Sequence, residues 1–133
     1  MAALALAVLV VISGCGSQPH VPAARSRPQR PSIRIVDSEV VGSAVIVKVK
    51  IKGWKMAPPR RGVLPKPRTG QWQIFADDLY MGFSYDPSYG TINGLAAGSY
   101  KIWVALARTD TSLVYPLIRS RSVTVHVVSD GLF

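Results

Sequence analysis

The stretch LAAGSYKIWVALA, residues 95–107, decides the fold of this chain. Its first six residues have the form L-x-x-G-x-Y. This is the pattern of a tyrosine corner, in which a tyrosine at the start of a late strand bonds to backbone at the preceding corner of a β-sandwich. In this interpretation Gly98 supplies the turn geometry, Leu95 fills the core and Tyr100 makes the bond. The alternative is an incidental glycine turn followed by a core tyrosine.

Alternation of apolar and polar residues extends from this stretch in both directions. A period of two residues indicates strands with one buried and one solvated face. The predicted strands are residues 33–37, 44–55, 70–76, 79–83, 91–95, 99–107 and 120–128. This region has no sustained helical period. Seven short strands separated by turn residues predict an all-β fold, an immunoglobulin-like antiparallel sandwich with Trp72 in its core.

The beginning of the chain has a different character. Residues 2–12 are almost entirely apolar, too short to span a bilayer, which needs about 20 residues, but of the length of a signal-peptide core. The following ISGC, residues 12–15, resembles the bacterial lipobox. That resemblance implies that Cys15 carries a diacylglyceryl group and that the chain is cut before it. One departure is that no Lys or Arg precedes the apolar run. The alternative is an ordinary N-terminal element with a buried cysteine.

These features divide the chain into three parts. Residues 1–14 are the expected lipoprotein signal peptide, residues 15–31 a tether and residues 32–133 the sandwich. The tether contains four prolines and three arginines, a composition that favours an extended, semi-rigid segment without a core. We therefore expect a protein on the exported side of the envelope, held by lipid in the cell membrane or the outer membrane.

Three strings in the sandwich resemble poorly characterised immunoglobulin-like domains of bacterial secreted proteins and lipoproteins. They are GQWQIFADD at 70–78, INGLAAGSYKIWVAL at 92–106 and TDTS at 109–112. The usual pattern of those domains is G-H-x-H followed by an aliphatic strand and D-G, then L-x-x-G-x-H or its tyrosine variant, then D-H. The resemblance implies the same sandwich over residues 33–128.

The chain departs from that pattern at four positions. Gln71 and Gln73 stand where the pattern has histidines, Asp78 stands where it has glycine, and Thr111 stands where it has the last histidine. If the histidines of the pattern are metal ligands, this chain has lost them, because amide and hydroxyl oxygens bind soft or borderline metals poorly. We therefore expect no metal and no cofactor.

Positive charge is concentrated in one half of the chain. The formal net charge is +9, and residues 15–70 hold 12 of the 16 Lys and Arg residues but only two of the seven acidic ones. A basic segment beside a membrane gains about 1 kcal/mol per Lys or Arg from anionic lipid. The candidate contacts are Lys48, Lys50, Lys52, Arg60 and Arg61. The alternative for the lysines is a solvated face that protects a strand edge from aggregation. Nucleic acid is not expected as a partner of an exported lipoprotein.

A second candidate site follows from strand alternation. Gln71, Gln73 and Phe75 point away from Trp72, and Trp103 lies on the same outer face of a neighbouring strand. This face could stack on a flat or sugar-like ligand and hydrogen-bond its edge. The alternative is that a loop covers the face, so that the two aromatic rings form a minor core.

Little in the sequence supports catalysis. His126 fits a surface or edge position on a strand, and Asp77 with Asp78 fits a hairpin turn better than a pair of catalytic acids. The sequence has no phosphate loop, nucleophile elbow or zinc-ligand spacing. We therefore expect no catalytic residue.

Two functions stay open. The first is a membrane-anchored envelope lipoprotein whose non-catalytic domain binds a protein partner, anionic lipid or a wall polymer. The second is an accessory domain or enzyme that binds a saccharide or small ligand on the Phe75 and Trp103 face, with help from the loop at residues 84–90.

Overall fold

The computed structural model describes residues 30–128, and every regular element in that part of the chain is a strand. The strands are β1 (Ser32–Val41), β2 (Ala44–Lys52), β3 (Lys55–Met56), β4 (Thr69–Ala76), β5 (Leu79–Ser84), β6 (Tyr89–Ile92), β7 (Gly98–Arg108) and β8 (Val123–Val127). No helix of these residues is long and apolar enough to cross a membrane. The predicted signal peptide, Cys15 and most of the tether lie outside the described residues.

The strands form two sheets. One has the order β1-β2-β6, and the other runs β4-β7-β8, with β5 and the short β3 both pairing with β4. All pairs are antiparallel except β3 with β4. This is the order that an immunoglobulin-like sandwich gives to strands A, B and E in one sheet and C′, C, F and G in the other. The predicted all-β sandwich is confirmed.

The main core lies between the two sheets. Every second residue of β2 points inward, as the sequence alternation predicts, and Val45 and Val47 are fully buried. Trp72 and Ile74 of β4 and Leu106 of β7 meet them from the other sheet with no exposed surface. Burial of each large apolar side chain contributes about 1.5–3 kcal/mol relative to exposure. The core therefore depends on period-two alternation in both sheets.

Trp72 occupies the centre of this core. Its indole Nε1–H donates to the carbonyl of Asp86 at 2.8 Å, which satisfies the one polar atom of the side chain. The ring also requires a glycine on β6, because a Cβ atom at Gly90 would lie 2.7 Å from the Trp72 Cη2 atom. The predicted core position of Trp72 is confirmed.

The tyrosine corner is present. The Tyr100 hydroxyl donates to the carbonyl of Ala96 at 2.7 Å, across the turn that precedes β7. Leu95 is buried in the main core, and Gly98 has a φ of 153°, a conformation that L side chains rarely adopt. The motif therefore does what its pattern predicts: it fixes the corner that leads into the central strand of the larger sheet.

The structure differs from the predicted strands in five places. β1 ends at Val41, four residues beyond its predicted end, and β2 ends at Lys52, three residues before its predicted end. β3 was not predicted, because two residues are too few to show alternation. β6 begins at Tyr89, two residues before the predicted start, and ends before Leu95. β8 begins only at Val123, although the preceding residues also contact β7. Arg119 forms an isolated bridge with Ala105, and the Ser120 N–H donates to the Val104 carbonyl at 2.8 Å while its hydroxyl accepts from the Val104 N–H at 3.0 Å.

Replacement of Tyr100 with phenylalanine removes the corner hydrogen bond and leaves the ring in place. We expect Tyr100→Phe to lower the free energy of unfolding by about 1 kcal/mol, measured by thermal or chemical denaturation. Tyr115→Phe is the matched control, because Tyr115 is 89% exposed. Equal stability of the Tyr100 and Tyr115 variants would contradict a structural role for the corner.

Candidate functional site

The four residues predicted to share an outer face do so. Gln71, Gln73 and Phe75 point outward from β4, and Trp103 of β7 is the direct cross-strand partner of Phe75. The two rings are stacked, with centroids 4.1 Å apart and planes 7° from parallel. We call these four residues the covered face, for the reason given next.

The aromatic rings of the covered face are not open to a ligand. Phe75 is 8% and Trp103 7% exposed, and they form a second, smaller core with Ala105 and Leu113. The guanidinium of Arg119 lies 3.9 Å from the Trp103 ring centroid. The structure therefore has the alternative arrangement, in which a loop covers the face and the two rings form a minor core. An open stacking platform is absent from this face.

The two glutamines of the covered face differ in their hydrogen bonding. Gln73 Nε2 donates to the Thr111 carbonyl at 2.7 Å, which ties β4 to the loop after β7. Gln71 is fully buried, and within the described residues neither polar atom of its amide has a hydrogen-bond partner. A buried, unpaired amide costs about 1–3 kcal/mol. Gln71 therefore lowers the free energy of unfolding relative to an apolar residue of similar size at the same position.

The loop that closes over the covered face is strained. Thr111 has a φ of 73°, a conformation that is unusual for a β-branched residue. The preceding Asp110 accepts hydrogen bonds from the backbone and hydroxyl of Ser112, and these bonds lower the pKa of its carboxyl group. The resemblance places Gln73 and Thr111 at two of its histidine positions, and the structure brings these two residues into contact.

A shallow groove of about 610 Å³ opens beside the covered face. Its exposed aromatic residues are Tyr80 and Phe83 of β5, which are 54% and 44% exposed, and Arg61 and Gln73 also line it. Tyr80 and Phe83 were not predicted as site residues from the sequence. They are three residues apart, so plain alternation puts them on opposite faces, but a bulge in the β4–β5 pairing puts both on the outer one.

The outer face of the smaller sheet has a net positive charge, with four exposed basic side chains against the exposed carboxylates of Asp37 and Glu39 on β1. Lys48, Lys50 and Lys52 are exposed on β2, and Arg34 of β1 is the direct cross-strand partner of Lys50. We call these four residues the basic face. Like charges directly opposite each other destabilise a sheet. Only Lys48 has an acidic cross-strand partner, Asp37.

Arg60 and Arg61 do not join the basic face. They lie in the loop between β3 and β4, where the Arg60 N–H donates to the Thr109 carbonyl at 2.7 Å. Arg61 lines the groove beside Gln73, on the outer side of the larger sheet. The outer faces of two packed sheets point in opposite directions. The five predicted anionic contacts therefore belong to two separate surfaces.

The remaining candidates have structural explanations. Asp77 and Asp78 have φ values of 48° and 66° and form the β4–β5 turn; their carboxylates accept from the Lys101 N–H and the Trp103 indole, both across the sheet. His126 Nδ1 lies 2.7 Å from the Ser99 hydroxyl at an exposed position. Within residues 30–128 no group of three or more His, Cys, Asp or Glu residues could hold a metal ion.

Comparison with known proteins finds no relative of this chain. No family model matches the chain, and neither a curated protein nor a solved structure matches it. The functional inference therefore depends on the surfaces described above.

The contrast between the two glutamines can be measured. We expect Gln71→Met to raise the free energy of unfolding by about 1 kcal/mol, because it removes a buried amide that has no partner. Gln73→Met makes the same chemical change two residues away. We expect it to lower stability by about 1 kcal/mol, because it removes the bond to the Thr111 carbonyl. Equal destabilisation in both variants, measured by urea denaturation, would show that the Gln71 amide is satisfied in solution.

Proposed function

We propose that this protein is an exported, lipid-anchored, non-catalytic lipoprotein whose sandwich docks its basic face on an anionic component of the envelope. The anionic component is lipid or a wall polymer. The observation that carries this proposal is the position of Arg34 directly opposite Lys50 in a row of exposed lysines. That arrangement opposes folding. An anionic partner that contacts Arg34 and Lys50 would offset this repulsion.

The position at which the tether enters the domain also supports docking through the basic face. β1 begins at Ser32, which is the cross-strand partner of Lys52. The tether therefore joins the domain next to the end of the lysine row. Lys48, Lys50 and Lys52 span about 14 Å along one strand, at 3.4 Å per residue. A lipid attached at Cys15 would bring this row to the surface in which the lipid sits.

The larger sheet does not favour the alternative function, in which a saccharide or small ligand binds on the Phe75 and Trp103 face. That alternative needs open faces on Phe75 and Trp103, and both rings are buried beneath Leu113 and Arg119. The aromatic residues exposed on this side, Tyr80 and Phe83, lie on an edge strand. The basic face concentrates four cationic side chains, Lys48, Lys50, Lys52 and Arg34, against the two carboxylates of Asp37 and Glu39.

Vesicle binding tests the proposal. In the full chain carrying Cys15→Ser, lipid attachment cannot contribute but the apolar residues 2–12 remain. We therefore expect tighter binding to vesicles of phosphatidylglycerol and phosphatidylcholine than to vesicles of phosphatidylcholine alone. Replacing Lys48, Lys50 and Lys52 with glutamine should weaken binding about 100-fold, at about 1 kcal/mol per lysine. Cosedimentation gives the measurement.

The control removes the same charge elsewhere. Lys55, Lys66 and Lys101 are exposed and lie outside the basic face, so their triple glutamine variant has the same net charge as the test variant. We expect this control to bind within about threefold of the parent. An equal loss of affinity in both triple variants would show that only net charge matters and would contradict a defined docking face.

A further inference from the structure

β1 is a long strand with one free edge. It has 10 residues and pairs only with β2, whereas the other strands at sheet edges, β3, β5, β6 and β8, have between 2 and 6 residues. Within the part of the chain that the structure describes, no backbone hydrogen bond joins the other side of β1 to another segment. A strand edge of this length is a template for pairing with another chain, and proteins usually keep such edges short.

A bulge in β1 leaves Val36 without a partner on β2. The extra residue shifts the alternation, so that Ile33 packs against the main core before the bulge and Val40 after it, although they are seven positions apart. Arg34 and Glu39 correspondingly lie on the outer face, where both are exposed. The strand is therefore symmetric about a point between residues 36 and 37, with an arginine and a glutamate at equal distances from that point.

We propose that two copies of this chain pair antiparallel through the free edges of their β1 strands, about a two-fold axis between residues 36 and 37. Such an isologous contact brings the same strand of both subunits together. In this register Ser32 lies opposite Val41 of the partner subunit, so β1 is paired along its whole length. The proposal goes beyond the docking function and does not depend on it.

The charges of β1 favour a second copy as the partner. Within one chain Arg34 lies opposite Lys50, and Glu39 lies opposite Ile46, so neither side chain faces an opposite charge across β2. In the symmetric pair each Arg34 lies opposite Glu39 of the partner subunit, which gives two opposite-charge pairs on the outer face. Such pairs stabilise a sheet, whereas an edge that carries lysines alone repels a second copy.

The pairing also extends the surface that carries the lysines. Two three-stranded sheets joined edge to edge form one six-stranded sheet, in which the basic faces of both copies point in the same direction. β2 and its copy lie three strand spacings apart, about 14 Å. Two lysine rows on one surface bind an anionic polymer or membrane more tightly than one row, because the second contact is intramolecular.

Analytical ultracentrifugation tests the proposal on the full chain carrying Cys15→Ser, in a mild detergent that keeps the apolar residues 2–12 from associating. We expect a monomer–dimer equilibrium. Arg34→Glu places carboxylates opposite each other in both pairs, and we expect it to weaken dimerisation at least about tenfold. Arg34→Glu combined with Glu39→Arg exchanges the charges, and we expect it to restore the affinity to within about threefold of the parent.

Lys101→Glu is the matched control, because it makes the same change in net charge at an exposed position of β7, on the larger sheet. We expect the dimer affinity of this variant to stay within about threefold of the parent. A monomer even at millimolar concentration would overturn the proposal. A dimer that Arg34→Glu leaves unchanged, or that the exchanged variant does not restore, would also overturn it.

Cysteine cross-linking tests the register in the same Cys15→Ser chain. Ser32→Cys with Val41→Cys places thiols opposite each other at both ends of the paired strands, where Cβ atoms lie about 4.5–5.5 Å apart, close to disulfide spacing. Within one chain the two positions are nine residues apart on a strand, about 30 Å, so they cannot join. We expect mild oxidation to cross-link the double variant but neither single variant. Equal cross-linking of a single variant, or none in the double variant, would overturn the antiparallel pairing.

Discussion

The pairing of β4 with β7 is the constraint on which the rest of the structure depends. Both strands are buried on both faces: Trp72 and Ile74 enter the main core, while Phe75 and Trp103 stack on the opposite side beneath a loop. Strands buried on both faces read as nearly continuous apolar runs, which is the character of WVALA at 103–107. The pair therefore holds two cores together and leaves the larger sheet little open surface at its centre.

This arrangement decides where a partner can bind. The smaller sheet has one buried and one solvated face, and its solvated face carries Lys48, Lys50, Lys52 and Arg34. The larger sheet offers its edge strand β5 and the loops around it. Two features that oppose stability, the unpaired Gln71 amide and the left-handed Thr111, lie beneath or within the loop cover of the larger sheet. Such features are commonest near functional sites in proteins, so the loop cover is worth testing beside the basic face.

Much of the fold could be predicted from local patterns. Alternation located seven of the eight strands, and the L-x-x-G-x-Y string located the corner that Tyr100 and Ala96 make. Alternation also placed Phe75 and Trp103 on one face. It could not show that the face is covered, because the cover comes from residues after β7 that have no periodic pattern. The same limit applies to Arg60 and Arg61, which follow the lysines of β2 within nine residues but lie on the other side of the sandwich. The bulge that turns Tyr80 and Phe83 to one face depends on the register between β4 and β5, which alternation along one strand does not reveal.

The central claim is that ligands meet the smaller sheet and not the covered face. The most direct measurement is an amide and indole NMR spectrum of the ¹⁵N-labelled full chain carrying Cys15→Ser, titrated with soluble polyphosphate. We expect the largest shift changes at β1 and β2, with the Trp103 indole and the Gln73 side-chain amide unchanged. The largest changes at Trp103, Gln73 and β5, with β2 unaffected, would contradict it.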